Sequence, residues 1–283
     1  MISNNVFERY EIKYLVTNRQ RRIIMEAMQS RMKPDDYGKS TICNIYYDTP
    51  DYYLIRRSLE KPVYKEKLRV RSYGTAASCD NVFVELKKKY QEVVYKRRVS
   101  LPEREAMYYL ASGAHGGLEG QIGSEIDYFR AFYRELAPRV FISYDREAFY
   151  GRDDDSFRVT FDENIMWRSK DLSLTTPPYG SGILPPDTSL MEVKTSGGIP
   201  LWMTSVLSEN GIFRTSFSKY GRAYSSIAAL RAGWTGSEKS KREAPDQRGK
   251  AERAGRARIY NAVRRTPTAL PSKMISVEPV QGI

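Results

Sequence analysis

Residues 82–101 read VFVELKKKYQEVVYKRRVSL, and their alternation predicts two β-strands joined by a turn near Tyr90-Gln91-Glu92. Side chains two residues apart in a strand point to the same face. One face of this hairpin therefore presents Val84, Leu86 and Val99. The opposite face gathers charge, and its ionic residues are Glu85, Lys87, Lys89, Lys96 and Arg98.

The same alternation recurs in the other segments with strand character. In each of them, one face is apolar and the other is ionic. The cations on the ionic faces are Arg9, Lys13, Lys65, Lys67, Arg69, Arg71, Lys87, Lys89, Lys96, Arg98, Arg146, Arg158 and Lys194. The acids on the same faces are Glu11, Glu85, Asp162 and Glu192.

A sheet with one ionic face can be placed in two ways. Most antiparallel sheets turn such a face to water and pack the other face on helices. Alternatively, the strands close into a barrel with a charged lumen and helices outside. The excess of cations favours the barrel, because a solvated face usually mixes both signs with neutral polar residues. Since so many like charges would repel in a lumen, we expect a polyanion to share it.

The few acids on this face suggest a separate task. Mg²⁺ and Mn²⁺ bind one or two carboxylates together with phosphate oxygens and water. Glu192 and Glu85 are therefore predicted metal ligands, with Asp162 or Glu11 as a further candidate. The alternative is that each acid forms an internal salt bridge with a neighbouring lysine.

The composition of the whole chain also points to an anionic partner. It has 283 residues with 46 Lys and Arg against 34 Asp and Glu, a net charge of +12. Its two cysteines are too few for a disulfide framework, which favours a reducing compartment. The sequence shows neither an apolar stretch of membrane-spanning length nor a signal peptide, so we expect a cytoplasmic protein.

The chain divides into a folded part and a tail. Residues 5–234 contain the strand and helix patterns, whereas 235–283 are polar and basic, with eleven Lys and Arg against five Asp and Glu. That composition predicts a flexible arm, with transient contact to a membrane or nucleic acid as an alternative to simple solvation. The strand segments expected in the folded part are 7–16, 40–49, 63–74, 82–101, 139–151, 157–168 and 189–197, and residues 171–187 are expected to contain strand and loop. The helical segments are 17–32, 50–61, parts of 102–136, 200–211 and 218–233, which together give an α+β fold.

Seven segments, in this order, resemble the VTC (vacuolar transporter chaperone) polyphosphate polymerase domain. They are ERYEIKYLV, LRVR, the VFVELKKK and VYKRR hairpin, YDREAF, FRVTFD, LMEVK and SFSKYGRAY. That family belongs to the triphosphate tunnel metalloenzymes and is related in fold to CYTH domains. The resemblance implies an antiparallel eight-stranded tunnel β-barrel with a charged lumen, flanked by helices. It also implies binding of ATP and a divalent metal, Mn²⁺ or Mg²⁺.

The resemblance to the family implies functional roles for the residues at matching positions of this sequence. It implies that Glu192 holds the metal and that Ser218 and Lys219 complete the tunnel wall. The residues so implied to hold the reacting phosphates are Lys13, Arg69, Arg71, Lys87, Lys96, Arg146 and Arg158. The face pattern adds Arg9, Lys89, Arg98 and Lys194 as phosphate-binding candidates. Ser216 departs from the family pattern, because eukaryotic polymerase members tend to have a lysine there.

Three functions are compatible with these residues. The first is a polymerase that transfers the γ-phosphoryl group of ATP to polyphosphate. The second is a triphosphatase on the same fold, although Arg9-Tyr10-Glu11-Ile12-Lys13 keeps only the second glutamate of the ExExK strand typical of such hydrolases. The third is a non-catalytic polyanion-binding module. Specific nucleic-acid binding is not expected, because the cations lie within strands. The basic tail could join a membrane surface or a membrane subunit.

Overall fold

The computed structural model describes residues 10–90, 93–113 and 120–233. In these ranges it contains six helices and eleven strands, and every strand pair is antiparallel within one sheet. The helices are α1 (Asn18–Met28), α2 (Tyr53–Leu59), α3 (Glu103–Ser112), α4 (Gln121–Phe132), α5 (Leu201–Glu209) and α6 (Lys219–Arg231). The strands are β1 (Tyr10–Thr17), β2 (Met32–Pro34), β3 (Ser40–Asp48), β4 (Tyr64–Tyr73), β5 (Asn81–Tyr90), β6 (Val93–Pro102), β7 (Ala137–Gly151), β8 (Arg158–Arg168), β9 (Ser181–Gly182), β10 (Thr188–Thr195) and β11 (Arg214–Thr215).

The predicted α+β class and antiparallel sheet are confirmed. Eight strands have eight residues or more, namely β1, β3, β4, β5, β6, β7, β8 and β10, and these coincide with the segments that alternate in sequence. The short strands β2 and β11 were not predicted, and β9 lies within residues 171–187, where strand and loop were expected. None of the helices in the described ranges is long and apolar enough to cross a bilayer. Arg9 and the tail at 235–283 lie outside the described residues.

The sheet is strongly curled. Its strand order is β11-β1-β10-β8-β7-β3-β4-β5-β6, so six strand-to-strand steps separate β1 from β5. In a flat sheet these strands would lie roughly 29 Å apart. Nevertheless, Nζ of Lys87 on β5 lies 3.7 Å from Oε2 of Glu11 on β1. The face that carries both residues is therefore concave. This curl agrees with the predicted tunnel fold, but hydrogen bonds do not close the sheet, because the strand order among the described residues starts at β11 and ends at β6.

The convex face of the sheet is covered by two pairs of helices. On β1, β8 and β10, an apolar cluster including Val159 and Val193 packs against α1 and α5. On β3 to β6, a second cluster including Val70, Val84 and Leu86 packs against α3 and α4. This burial fixes the register of the strands, because a slip by one residue would move the charged face outwards.

Part of the concave face is apolar. Ile42 on β3, Ile142 on β7 and Trp167 on β8 belong to a third buried cluster, which also contains Tyr220 and Ile227 of α6. Helix α6 thus packs against the inner side of the sheet. The predicted charged lumen is therefore found mainly along β1, β4, β5, β6 and β10, while α6 fills the space next to β3 and β7.

Candidate functional site

Glu85 forms the centre of an ionic cluster on β4, β5 and β6. Its side chain is only 1% exposed, and it lies opposite Arg69 in one pairing and Arg98 in the other. Its carboxylate oxygens lie 2.7 Å from Nη2 of Arg69 and 2.6 Å from Nζ of Lys96, with Nε of Arg98 at 3.8 Å and Nε of Arg71 at 3.9 Å. Burial would raise the pKa of Glu85, but the charges of Arg69 and Arg71 outweigh it and hold the pKa at about 2.

Three uncharged residues that the sequence reasoning missed hold the two arginines of β4. Nη1 of Arg69 donates to the Tyr46 hydroxyl at 3.1 Å. Arg71 donates from Nε to Oδ1 of Asn44 at 2.9 Å and from Nη2 to the Tyr144 hydroxyl at 3.2 Å. Asn44 and Tyr46 lie two residues apart on β3, so their side chains share the face that pairs with Arg71 and Arg69. This two-residue periodicity is the sequence signal that could have identified them.

A second ionic cluster surrounds Glu192 on β10. Nζ of Lys13 lies between two carboxylates, 3.4 Å from Oε1 of Glu192 and 3.3 Å from Oε1 of Glu11. Oε2 of Glu192 also faces Nζ of Lys194 at 3.4 Å and Nη2 of Arg146 at 3.9 Å. Burial would raise the pKa of Glu192, but the charges of Lys194 and Lys13 keep it well below its usual range. Glu192 is therefore ionised at neutral pH.

Asp162 on β8 is fully buried between two cations. It accepts from Nε and Nη2 of Arg146 at 2.6 and 2.7 Å, which is the bidentate geometry of a strong guanidinium–carboxylate pair. Its Oδ2 also accepts from Nζ of Lys219 at 2.5 Å. Nζ of Lys219 lies 4.3 Å from the centre of the Tyr144 ring, so Tyr144 joins this cluster to Arg71.

The segment Phe217–Lys219, just before and at the start of α6, links strands that are distant in the sheet. Lys13 of β1 donates to the Phe217 carbonyl at 3.1 Å, and Nζ of Lys67 on β4 lies 3.4 Å from Oγ of Ser218. Ser218 is also the N-cap of α6, accepting from the Gly221 N–H. Burial lowers the pKa of Lys67 to about 8, so this ammonium titrates near neutral pH.

The remaining predicted residues extend these clusters along the concave face. Arg98 stacks on Phe83, with its guanidinium carbon 3.3 Å from the ring centre. Arg158 lies opposite Lys194, and its guanidinium carbon is 5.8 Å from the centre of the Tyr150 ring. Lys89 lies opposite Lys65 at the end of the β4–β5 pair. No group of three or more His, Cys, Asp or Glu side chains in the described part of the chain is placed to hold a metal ion.

The sequence model of the VTC domain family matches residues 8–228. This chain belongs to the VTC domain family. The match covers all eight long strands and most of α6, and it confirms the resemblance seen in the sequence. No curated protein matches the sequence of this VTC domain at a significant level.

Several solved structures resemble this VTC domain at low sequence identity. A candidate adenylyl cyclase from Hippeastrum, described as having a dominant triphosphatase activity, is 16% identical, with a TM-score of 0.47 and coverage of 79% of this chain and 95% of that chain. A candidate adenylate cyclase from Vibrio parahaemolyticus is 10% identical, with a TM-score of 0.42 and coverage of 76% and 97%. One from Bacillus halodurans is 14% identical, with a TM-score of 0.40 and coverage of 84% and 93%.

Proposed function

We propose that this VTC-domain protein is a metal-dependent polyphosphate polymerase that transfers the γ-phosphoryl group of ATP to a polyphosphate chain. The supporting observation is the charge of its concave face, where the described cations far outnumber four carboxylates. These cations are Lys13, Lys65, Lys67, Arg69, Arg71, Lys87, Lys89, Lys96, Arg98, Arg146, Arg158, Lys194 and Lys219. Four carboxylates cannot offset the charge of thirteen cations, so the concave face keeps a net positive charge that suits an external anion.

The proposed reaction needs positioning more than covalent participation by the protein. An oxygen of the terminal phosphate of the chain attacks the γ-phosphorus of ATP, a new P–O–P bond forms, and the bond to the β-phosphate breaks to release ADP. The attacking oxygen is already ionised at neutral pH, so no general base is required. Arg69 and Arg71, fixed by Glu85 and Tyr144, would hold phosphate oxygens in line and offset their mutual repulsion.

The carboxylates differ in their fitness to hold a divalent metal. Glu192 and Glu11 both contact one ammonium, that of Lys13, and together offer a pair of carboxylates. That set suits Mn²⁺ or Mg²⁺ completed by phosphate oxygens and water. Glu192 also lies among cations, but it shares one of them with a second carboxylate, whereas Glu85 is the single carboxylate of its cluster and fits less well. We therefore assign metal binding to Glu192 with Glu11, and charge balance to Glu85. When bound, the metal would neutralise charge on the transferring phosphates.

The test is incubation of the purified protein with ATP and Mn²⁺, followed by gel electrophoresis with polyphosphate staining. A ladder of acid-labile products is expected. Release of orthophosphate without a ladder would make the protein a triphosphatase, and tight binding of polyphosphate without turnover would make it a binding module. Either result overturns the proposed polymerase.

A matched pair of variants on β5 connects the activity to the concave face. Lys87 points to the concave face, where it contacts Glu11, whereas its neighbour Lys88 contacts Glu125 on the convex side. Lys87→Gln should reduce turnover about tenfold or more, because one phosphate contact is lost. Lys88→Gln removes the same charge and should leave turnover unchanged. Equal losses in both variants would argue against a reaction on the concave face.

A further inference from the structure

A second basic cavity lies outside the charged concave face. It has a volume of about 350 Å³ and is formed where the end of α6 meets the residue before α2, the start of β7 and the segment after β8. Its main lining residues are Tyr52, Arg139, Lys170, Ile227, Leu230 and Arg231. None of these belongs to the clusters around Glu85, Glu192 or Asp162. Its volume is at the lower end of the range for small-molecule sites.

The cavity combines an apolar floor with a cationic rim. Tyr52 and Ile227 are buried, at 4% and 5% exposure, and Leu230 adds an exposed apolar wall. Lys170 and Arg231 on the rim are exposed, and Arg139 is half-buried. Among the described residues, the lining contains three cations and no Asp or Glu. An anion that enters this cavity would therefore meet three positive charges and no negative charge among the described lining residues.

Two of the three cations are already oriented. Nε of Arg139 donates to the Asp48 carbonyl at 3.3 Å, which anchors its stem at the start of β7. The guanidinium carbon of Arg231 lies 5.0 Å from the centre of the Tyr52 ring, within the range of a cation–π contact. Neither contact neutralises a charge, because one partner is a carbonyl and the other a ring. Guanidinium groups fixed in this way bind phosphate oxygens with little further loss of conformational entropy.

We propose that this cavity binds a phosphate monoester that carries an apolar or aromatic group, of about the size of a nucleoside monophosphate. The phosphate lies on Arg139, Lys170 and Arg231, and the attached group lies on Tyr52, Ile227 and Leu230. Inorganic phosphate can contact only the cations of the rim, and an uncharged nucleoside can contact only the apolar residues. This site is independent of the proposed polymerase reaction.

Titration calorimetry of the full chain with adenosine 5′-monophosphate, inorganic phosphate and adenosine tests the proposal. We expect the monophosphate to bind at least about tenfold more tightly than either of the other two probes, because it alone engages both parts of the cavity. Equal affinity for inorganic phosphate would overturn the proposal, because the apolar floor would then have no role. Absence of monophosphate binding would overturn it as well.

Variants locate the binding. Lys170→Gln with Arg231→Gln should weaken monophosphate binding about tenfold or more, and both residues are exposed, so the fold should be retained. Arg19→Gln with Arg22→Gln removes the same charge from the exposed side of α1 and should have no effect. Lys87→Gln reports on any monophosphate held by the concave face, so the binding that is lost in the Lys170 and Arg231 double variant should persist in it. An equal loss in the α1 pair, or a loss confined to Lys87→Gln, would show that the monophosphate does not occupy this cavity.

The apolar part of the cavity can be tested separately at Leu230, which forms its wall and is 68% exposed. Leu230→Ser should reduce the preference for the monophosphate over inorganic phosphate and leave the affinity for inorganic phosphate unchanged. A preference that stays at its original value would contradict the assigned position of the apolar group.

Discussion

Nη2 of Arg69 lies 2.7 Å from Oε2 of Glu85, and the two residues face each other directly across the β4–β5 pair. The carboxylate is almost completely buried, so its charge is stable only because cations surround it. Removing one member of such a group leaves the others uncompensated. Glu85 thus allows Arg69, Arg71, Lys96 and Arg98 to stand close together before any anion binds.

Glu85→Gln should strongly destabilise the protein. The loss of this buried charge leaves four neighbouring cations without their common partner, and we expect a cost of about 3–5 kcal/mol in the free energy of unfolding. Urea denaturation monitored by circular dichroism measures it. Because Glu11 is partly exposed, Glu11→Gln is the matched control and should cost much less.

Tripolyphosphate should recover much of the stability lost in Glu85→Gln, because an anion on the concave face takes over the missing negative charge. The gain in melting temperature at saturating tripolyphosphate should therefore be larger for Glu85→Gln than for the unsubstituted protein. Equal gains would mean that the four cations do not face the bound anion.

Anion affinity should fall as pH rises through about 8. Burial lowers the pKa of Lys67 to about 8. Burial alone would raise the pKa of Tyr46, but the charges of Arg69 and Lys67 outweigh it and lower that pKa to about 8. Each deprotonation removes one unit of positive charge from the concave face. We therefore expect the Kd for tripolyphosphate, measured by calorimetry, to increase from about pH 7 to about pH 9.

The ligand itself gains negative charge with pH, which acts in the opposite direction, so the comparison needs a variant. Lys67→Arg combined with Tyr46→Phe keeps the cation and removes both groups that titrate. In this double variant, the Kd should stay level or decrease over the same pH interval. If it increases as steeply as in the unsubstituted protein, Lys67 and Tyr46 are not the groups responsible.

Ser218 allows the role of α6 in stability to be separated from its role in binding. Its hydroxyl caps the helix and faces Nζ of Lys67. Ser218→Ala should cost about 1 kcal/mol through loss of the cap. Ser218→Asp keeps an efficient cap, so its stability should match the unsubstituted protein, while its new charge competes with phosphate for Lys67. Tripolyphosphate affinity should then fall about tenfold. Unchanged affinity in Ser218→Asp would place the anion away from this helix.

The strands and their faces could be predicted from the sequence because both are local properties. The alternation around Glu85 and Lys87 settles which side chains share a face, and the buried partners Val84 and Leu86 enforce it. Thr17 and Gln20 form a capping box that starts α1, again within four residues. These features depend on residues that are close together in the chain, so a single sequence is enough to predict them.

The parts that could not be predicted depend on residues distant in sequence. Tyr46 and Asn44 lie in a strand without cations, and their role follows only from their pairing with Arg69 and Arg71. The contact of Lys219 with Asp162 joins residues that are 57 positions apart. Likewise, charge patterning gave no sign that α6 would cover an apolar part of the concave face.

Glu192→Gln tests the assigned metal site with a readout other than turnover. Glu192 is ionised and lies close to Glu11 through their shared contact with Lys13, so its neutral analogue should weaken Mn²⁺ binding in the presence of tripolyphosphate, as followed by electron paramagnetic resonance. Turnover should fall about a hundredfold. Tripolyphosphate affinity without metal should be equal or higher, because one negative charge has left the concave face. Glu125→Gln, on the convex side, is the control. Undiminished Mn²⁺ binding in Glu192→Gln would remove Glu192 from the metal site and leave Glu11 or Asp162 to hold the ion.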